Sequence, residues 1–181
     1  MLELKIPEVE YFDEDAEEFF TLDIGTLQLE HSLVSLAKWE SKWHEPFIQY
    51  TEEDRSIDKM LDYVRCMTLT EGVDPRFYQV LPMSALKEIN DYINEPMTAT
   101  WFRETGQRKS REIVTAEIIY YWMIALEIPF ECQYWHLNRL LTLIRVCNEK
   151  NQPKKKMSKT DRARQQQALN AQRKAKHHTH G

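Results

Sequence analysis

The chain has 181 residues, 42% of them hydrophobic and 29% charged, enough apolar material for one core of ordinary size and too little length for several domains. Four glycines leave almost none of the residue that builds phosphate loops and dinucleotide-binding turns, which nearly excludes that chemistry. The net charge of −5 conceals opposed ends: residues 1–30 hold ten acids and the single base Lys5, residues 150–181 hold ten bases and the single acid Asp161, and the middle carries −5.

Leu2, Leu4 and Ile6 alternate with Glu3 and Lys5, and Val9 and Tyr11 with Glu8 and Glu10, a two-residue period that predicts a short strand or hairpin. A second β-like stretch, Phe19–Ile24, runs to Gly25 and is expected to pair with the first across the acidic loop. From Thr26 the spacing turns helical, with Leu29, Leu33, Leu36, Ala37, Glu40 and Trp43 on one side, Ser32 near the start and Pro46 past the end. Thr51-Glu52-Glu53-Asp54 reads as the N-terminus of a helix whose face is Ile57, Met60, Leu61, Val64 and Met67 and whose stop is Gly72. Asp74-Pro75 opens a short helix with Phe77, Tyr78 and Leu81, and Ser84 is the expected cap of the next, with Leu86, Ile89, Tyr92 and Ile93 inside and Pro96 at its end.

Met97–Phe102 is β-branched and aromatic and is expected to be extended, before a polar, basic loop from Arg103 to Arg111. Ser110 and Glu112 open the most apolar helix, with Ile113, Val114, Ile118, Tyr121, Trp122, Ala125 and Leu126 over more than one face, a pattern expected of a central helix. Past Pro129 a long final helix, Phe130 to Cys147, should form an antiparallel hairpin with it. Lys154–His180 is basic and Gln-rich, with Met157 and Leu169 as its large apolar residues. It reads as a solvated tail that turns helical on a partner. The predicted fold is therefore mainly α: an acidic segment at 1–25 with a possible hairpin, one helical domain at 26–150 and a basic tail at 151–181.

No run of 18 apolar residues and no secretory leader is present, so a soluble, cytoplasmic protein without a membrane partner is expected. Cys66, Cys132 and Cys147 lie far apart and read as reduced, partly buried residues. Cys132 and His136, four residues apart, suit one face of a helix, but two ligands do not make a metal site, and a thiol among Phe130–Trp135 is expected to be inert. The carboxylates Glu52, Glu53 and Asp54, or Glu127 and Glu131, read as solvated faces rather than catalytic dyads. No catalytic residue, cofactor or metal is expected, and the chain reads as a binder rather than an enzyme.

Two features suggest what it binds. Trp39, Trp43, Trp101, Trp122 and Trp135 exceed what packing a domain of this size usually requires; most are expected in the core, and if one surface is aromatic it would suit an apolar partner helix. Lys154, Lys155, Lys156, Lys159, Arg162 and Arg164 form a basic tract able to neutralise phosphates or an acidic protein, without interleaved aromatics for base stacking.

Particular strings resemble a known family. Leu29–Trp43 (LEHSLVSLAKWESKW), Met97–Thr100, Ile118–Met123 (IIYYWM), Trp135–Val146 (WHLNRLLTLIRV) and Met157-Ser158-Lys159 are similar to small proteins of long-tailed bacteriophages, the tail assembly chaperones, over residues 25 to 175. The resemblance implies a mostly helical protein of the host cytoplasm that binds the tape measure protein before the tail tube polymerises, and is absent from the finished virion. It also implies, in many members, a longer frameshifted form whose extension recruits tail tube subunits; a homo-oligomer is a separate possible partnership. The alternative is a nucleic-acid-binding or structural phage protein at the head–tail junction that uses the basic tail.

Overall fold

The computed structural model describes residues 1–13, 17–22, 25–48, 56–102, 113–151 and 159–177. The expected acidic cap at Thr51–Asp54, the basic loop Arg103–Arg111, the helix start at Ser110 and Glu112, and Lys154–Lys156 lie outside them. The described residues are mainly helical, with two small antiparallel sheets at the N-terminus. The chain divides into two compact units, Met1–Asn148 and Glu149–Gly181.

In the first unit β1 (Leu2–Lys5) pairs with β4 (Thr26–Leu29), Leu2 opposite Leu29 and Lys5 opposite Thr26. Inside that pair β2 (Val9–Asp13) and β3 (Glu18–Leu22) form the expected hairpin across the acidic loop, Val9 opposite Leu22. The acidic N-terminal segment belongs to this unit, since Leu4 and Ile6 are buried in its core. Thr26–Leu29, expected to begin a helix, is a strand. Leu27 and Leu29 are buried while Thr26 and Gln28 are half-buried, and the strand is bonded on both edges. Opposite β1, Glu30 N–H donates to Met67 O (2.9 Å), Leu69 N–H to Gln28 O (2.8 Å) and Gln28 N–H to Thr70 Oγ1 (2.8 Å). Partners some 40 residues away override the local helical spacing.

Helix α1 (Leu33–Trp43) starts where Ser32 caps it: Ser32 Oγ accepts from Ser35 N–H (3.2 Å) and Ser35 Oγ from Ser32 N–H (2.8 Å). It ends at His44, which takes the left-handed conformation at φ 55°. Leu33, Leu36 and Trp39 are fully buried, each worth about 1.5–3 kcal/mol of transfer free energy. Helix α2 (Ile57–Met67) is capped by Ser56 and stops at Thr68, short of Gly72, which sits in a later turn at φ +73°. Its core face is Tyr63, Val64 and Met67; Ile57 and Met60, expected inside, are exposed.

A 3-10 turn over Pro75–Val80 follows, capped by Asp74 as expected, with Phe77 and Tyr78 buried. Helix α3 (Met83–Asn94) begins behind Pro82, so Ser84 is an exposed residue of its first turn and not its cap. Ala85, Ile89 and Tyr92 face the core, with Leu86 and Ile93 half-buried. Residues 97–102 form no strand, with bends at Thr98 and Ala99.

Helix α4 (Ala116–Ala125) begins after Ile113 and Val114. Ala116, Ile119 and Met123 are buried, whereas Tyr121 and Ile124 are 63% and 62% exposed, so this apolar helix has one covered face and is not central. It packs against α1. A second 3-10 turn, Phe130–Tyr134, also lies on α1 and intervenes before α5 (Leu137–Asn151), so the single helix expected from Phe130 to Cys147 is a 3-10 turn followed by a helix that starts at Leu137. The second unit contains α6 (Lys159–His177), in which every described side chain is exposed.

Candidate functional site

Between α2 and α3 lies an apolar groove of about 400 Å³. Helix α2 contributes Ile57, Met60, Tyr63 and Val64, and α3 contributes Met83, Leu86, Ile89 and Ile93; Lys87 and Asn90 are the polar side chains along it and Phe47 closes one part. Its rim is strongly exposed for apolar residues: 71% at Ile57, 39% at Met60 and 79% at Met83. Methionine suits such a surface because its unbranched, polarisable side chain repacks against differing partners.

The floor is fixed by buried polar groups. Phe47 stacks on Tyr63 with ring centroids 3.9 Å apart, and the Tyr63 hydroxyl meets His31 Nδ1 at 2.5 Å. Phe47 is held from behind by Glu40, a buried carboxylate whose Oε1 accepts from Phe47 N–H (2.9 Å) and whose Oε2 accepts from Ala116 N–H (2.7 Å). Thr115 makes no side-chain capping bond, so Glu40 of α1 does that work for α4. Burial pushes the Glu40 carboxyl above its ordinary value, against the lowering effect of these two bonds.

A second polar cluster ties α3 to α5. His136 Nε2 donates to Tyr92 O (3.0 Å), and Asn138 Nδ2 donates to Ile93 O and Glu95 O (each 2.9 Å), so two side chains at the start of α5 satisfy the carbonyl end of α3. The His31 and His136 rings meet edge-on at 5.0 Å, and the Tyr92 hydroxyl donates to Glu30 Oε1 (2.6 Å). Burial lowers the His136 pKa, and the position of Nε2 against a carbonyl requires its proton there.

The five tryptophans do not share a surface. Trp39 has no exposed area and donates from Nε1 to Lys59 O (2.9 Å), which makes it a core residue and removes it from any partner-binding face. Trp43, its neighbour at 6.3 Å between rings, is half-buried and donates to Asp62 Oδ2 (2.8 Å). Trp122 and Trp135 pack partly against the core, with the Arg139 guanidinium 4.1 Å over the Trp135 ring; Trp101 is 75% exposed. Exposed apolar residues instead collect on α4 and the second 3-10 turn, as Tyr121, Ile124, Phe130 and Tyr134.

Cys132 lies in that 3-10 turn and His136 beyond it, so the two are not on one helical face. Among the described residues no group of three His, Cys, Asp or Glu side chains is placed to hold a metal. Burial raises the Cys132 thiol and pushes Cys66 up to about 11, which leaves both as poor nucleophiles. Of the basic tract, Arg162 and Arg164 are exposed on α6, and Lys159 begins it. Arg162, Gln166, Leu169, Arg173 and Lys176 recur at spacings of four and three and so share a face. Among the described residues no helix is long and apolar enough to cross a membrane.

Helical spacing had grouped Ile57 and Met60 correctly but not shown that their face stays uncovered. The signal for the groove was Met83, an apolar residue directly behind Pro82, outside the spacing of its own helix's core face. Comparison of the chain with protein families, with curated proteins and with solved structures finds no match.

Proposed function

We propose that the chain is a non-enzymatic tail assembly chaperone of a long-tailed phage, which shields apolar stretches of the tape measure protein until the tail tube encloses it. The observation that carries the reading is the open groove between α2 and α3, whose rim exposes Ile57, Met60 and Met83. An apolar rim left in water forgoes about 25 cal/mol per Å² of burial free energy, which supports a surface that an apolar partner covers. Co-expression with the neighbouring tape measure gene product is the test. The reading requires a soluble complex and a tape measure chain that aggregates alone. A tape measure chain that is soluble alone and forms no complex overturns it.

One observation favours a second reading. Helix α6 exposes Arg162, Arg164, Arg173, Lys174 and Lys176, a surface suited to phosphates. Nucleic-acid binding through α6 predicts salt-sensitive retention of DNA or RNA that disappears on removal of residues 152–181. A place at the head–tail junction predicts the protein in purified particles, where a chaperone would be missing.

A further inference from the structure

The groove between α2 and α3 has the form of a seat for a third helix. On α2 its residues Ile57, Met60 and Val64 are three and four apart; on α3 Met83, Leu86, Asn90 and Ile93 are three, four and three apart. These are two ridges of the kind that interdigitate with a facing helix; the α2 ridge runs for about 10 Å, or two turns, and the α3 ridge for about 15 Å, or nearly three. Lys87 stands on the α3 side and, among the described residues, forms no ion pair. A cation beside a mostly apolar trough, in which Asn90 is the other polar side chain, favours a carboxylate on whatever fills it.

The geometry points to one occupant: an amphipathic helix of another polypeptide, apolar at positions three and four apart over about three turns, with an acidic residue placed to meet Lys87. The proposal rests on the chaperone reading for the identity of that polypeptide, a stretch of the tape measure protein, and on the groove for its chemistry. Helix α6 does not qualify, having Leu169 as its one large apolar residue. A second copy presenting the same trough would set one concave surface on another and bring two Lys87 ammonium groups to one interface.

The probe is a helix-stapled peptide of about three to four turns with leucines spaced three, four and three apart and one glutamate beside them. It is titrated into the full chain carrying 13C-labelled methionine methyls. The proposal expects the Met60 and Met83 methyls to shift while buried Met123 does not. It further expects roughly tenfold weaker binding to the Ile57→Lys/Met83→Lys variant, as for a lost interface anchor. Replacing the peptide's glutamate by lysine should weaken binding by about threefold or more. Both substituted side chains are exposed, and an unchanged circular dichroism spectrum and melting temperature verify the fold. Equal binding of a peptide with scrambled apolar spacing overturns the proposal. So does occupation of the groove by dodecanoate but not by the peptide, or a double variant that binds like wild type. Co-expression separates the two readings. If the double variant keeps the tape measure complex, the groove assignment fails and the chaperone reading stands. If the wild type forms no complex, the chaperone reading fails and the peptide titration alone decides the groove's chemistry.

Discussion

Replacing Glu40 by alanine is the sharpest test of how the body holds together. The substitution removes one buried carboxylate and leaves two buried backbone donors, Phe47 N–H and Ala116 N–H, without their acceptors. Each stranded donor costs about 1–3 kcal/mol, and release of a carboxylate whose burial is itself unfavourable returns part of that. The expected loss is about 2–5 kcal/mol. With a urea slope of about 2 kcal/mol/M this moves the midpoint down by roughly 1–2.5 M, followed by fluorescence of Trp39, which lies fully buried one residue away. Glu40→Gln keeps the volume and one acceptor and should lose about 1–3 kcal/mol. Because the folded-state carboxyl lies above its ordinary value, its ionised form is the less favourable one in the folded chain. Wild-type stability relative to Glu40→Ala should therefore decrease as pH rises from the ordinary glutamate range through the raised value, and stay level above it. A midpoint shift under about 0.3 M for Glu40→Ala would refute the idea that this carboxylate joins α1, Phe47 and α4.

Further outcomes follow from the other buried groups. His136, held neutral by burial, should make the fold lose stability as pH falls from above about 6.5 towards its lowered folded value, and level off below that. In His136→Gln, thermal melts from pH 8 to 5 should show this slope reduced by up to about 1.4 kcal/mol per pH unit, and an unchanged slope would contradict the assignment. Asn138→Ala frees the Ile93 and Glu95 carbonyls at the end of α3 and should cost about 1–2 kcal/mol in urea unfolding, with no loss pointing to water as an equal partner. With its thiol at about 11, Cys66 should react with a disulfide reagent at pH 8 about a hundredfold more slowly than an unperturbed cysteine; mass spectrometry of the labelled sites would reveal a faster rate.

Local signals in the chain located caps and breaks well. Ser32 starts α1, Asp74-Pro75 starts the first 3-10 turn, and the β2–β3 hairpin follows from the two-residue alternation. What failed were elements decided at a distance. Thr26–Leu29 continues the helical spacing of Leu33 and Leu36, and only its bonds to β1 and to Met67–Thr70 make it a strand. Ser84 is a good cap by type, but the turn begins at Pro82. Spacing also groups residues into a face without saying what covers it. The α2 face is divided, Val64 and Met67 going to the core and Ile57 and Met60 to the groove rim, because Tyr63 turns inward against Phe47. For the same reason the tryptophans could be counted but not sorted: Trp39 lies wholly inside and Trp101 mostly outside. Glu40 read as one position of an amphipathic stripe, and its bond to Ala116, 76 residues away, was beyond any local pattern.

The bridge between the start of α1 and the start of α5 has a consequence for synthesis. Leu137 N–H donates to His31 O (2.7 Å), and Ser32 pairs with His136 across more than a hundred residues of chain. At about 5–20 residues per second, a ribosome takes roughly 5–20 s to make the second half of that bridge after the first. Until then α1 exists with its buried side, Leu33, Leu36 and Trp39, lacking its final neighbours. A nascent chain that ends before His136 lacks this bridge and the whole of α5, whereas one that ends after Asn151 contains both halves of the bridge and every strand and helix from β1 to α5.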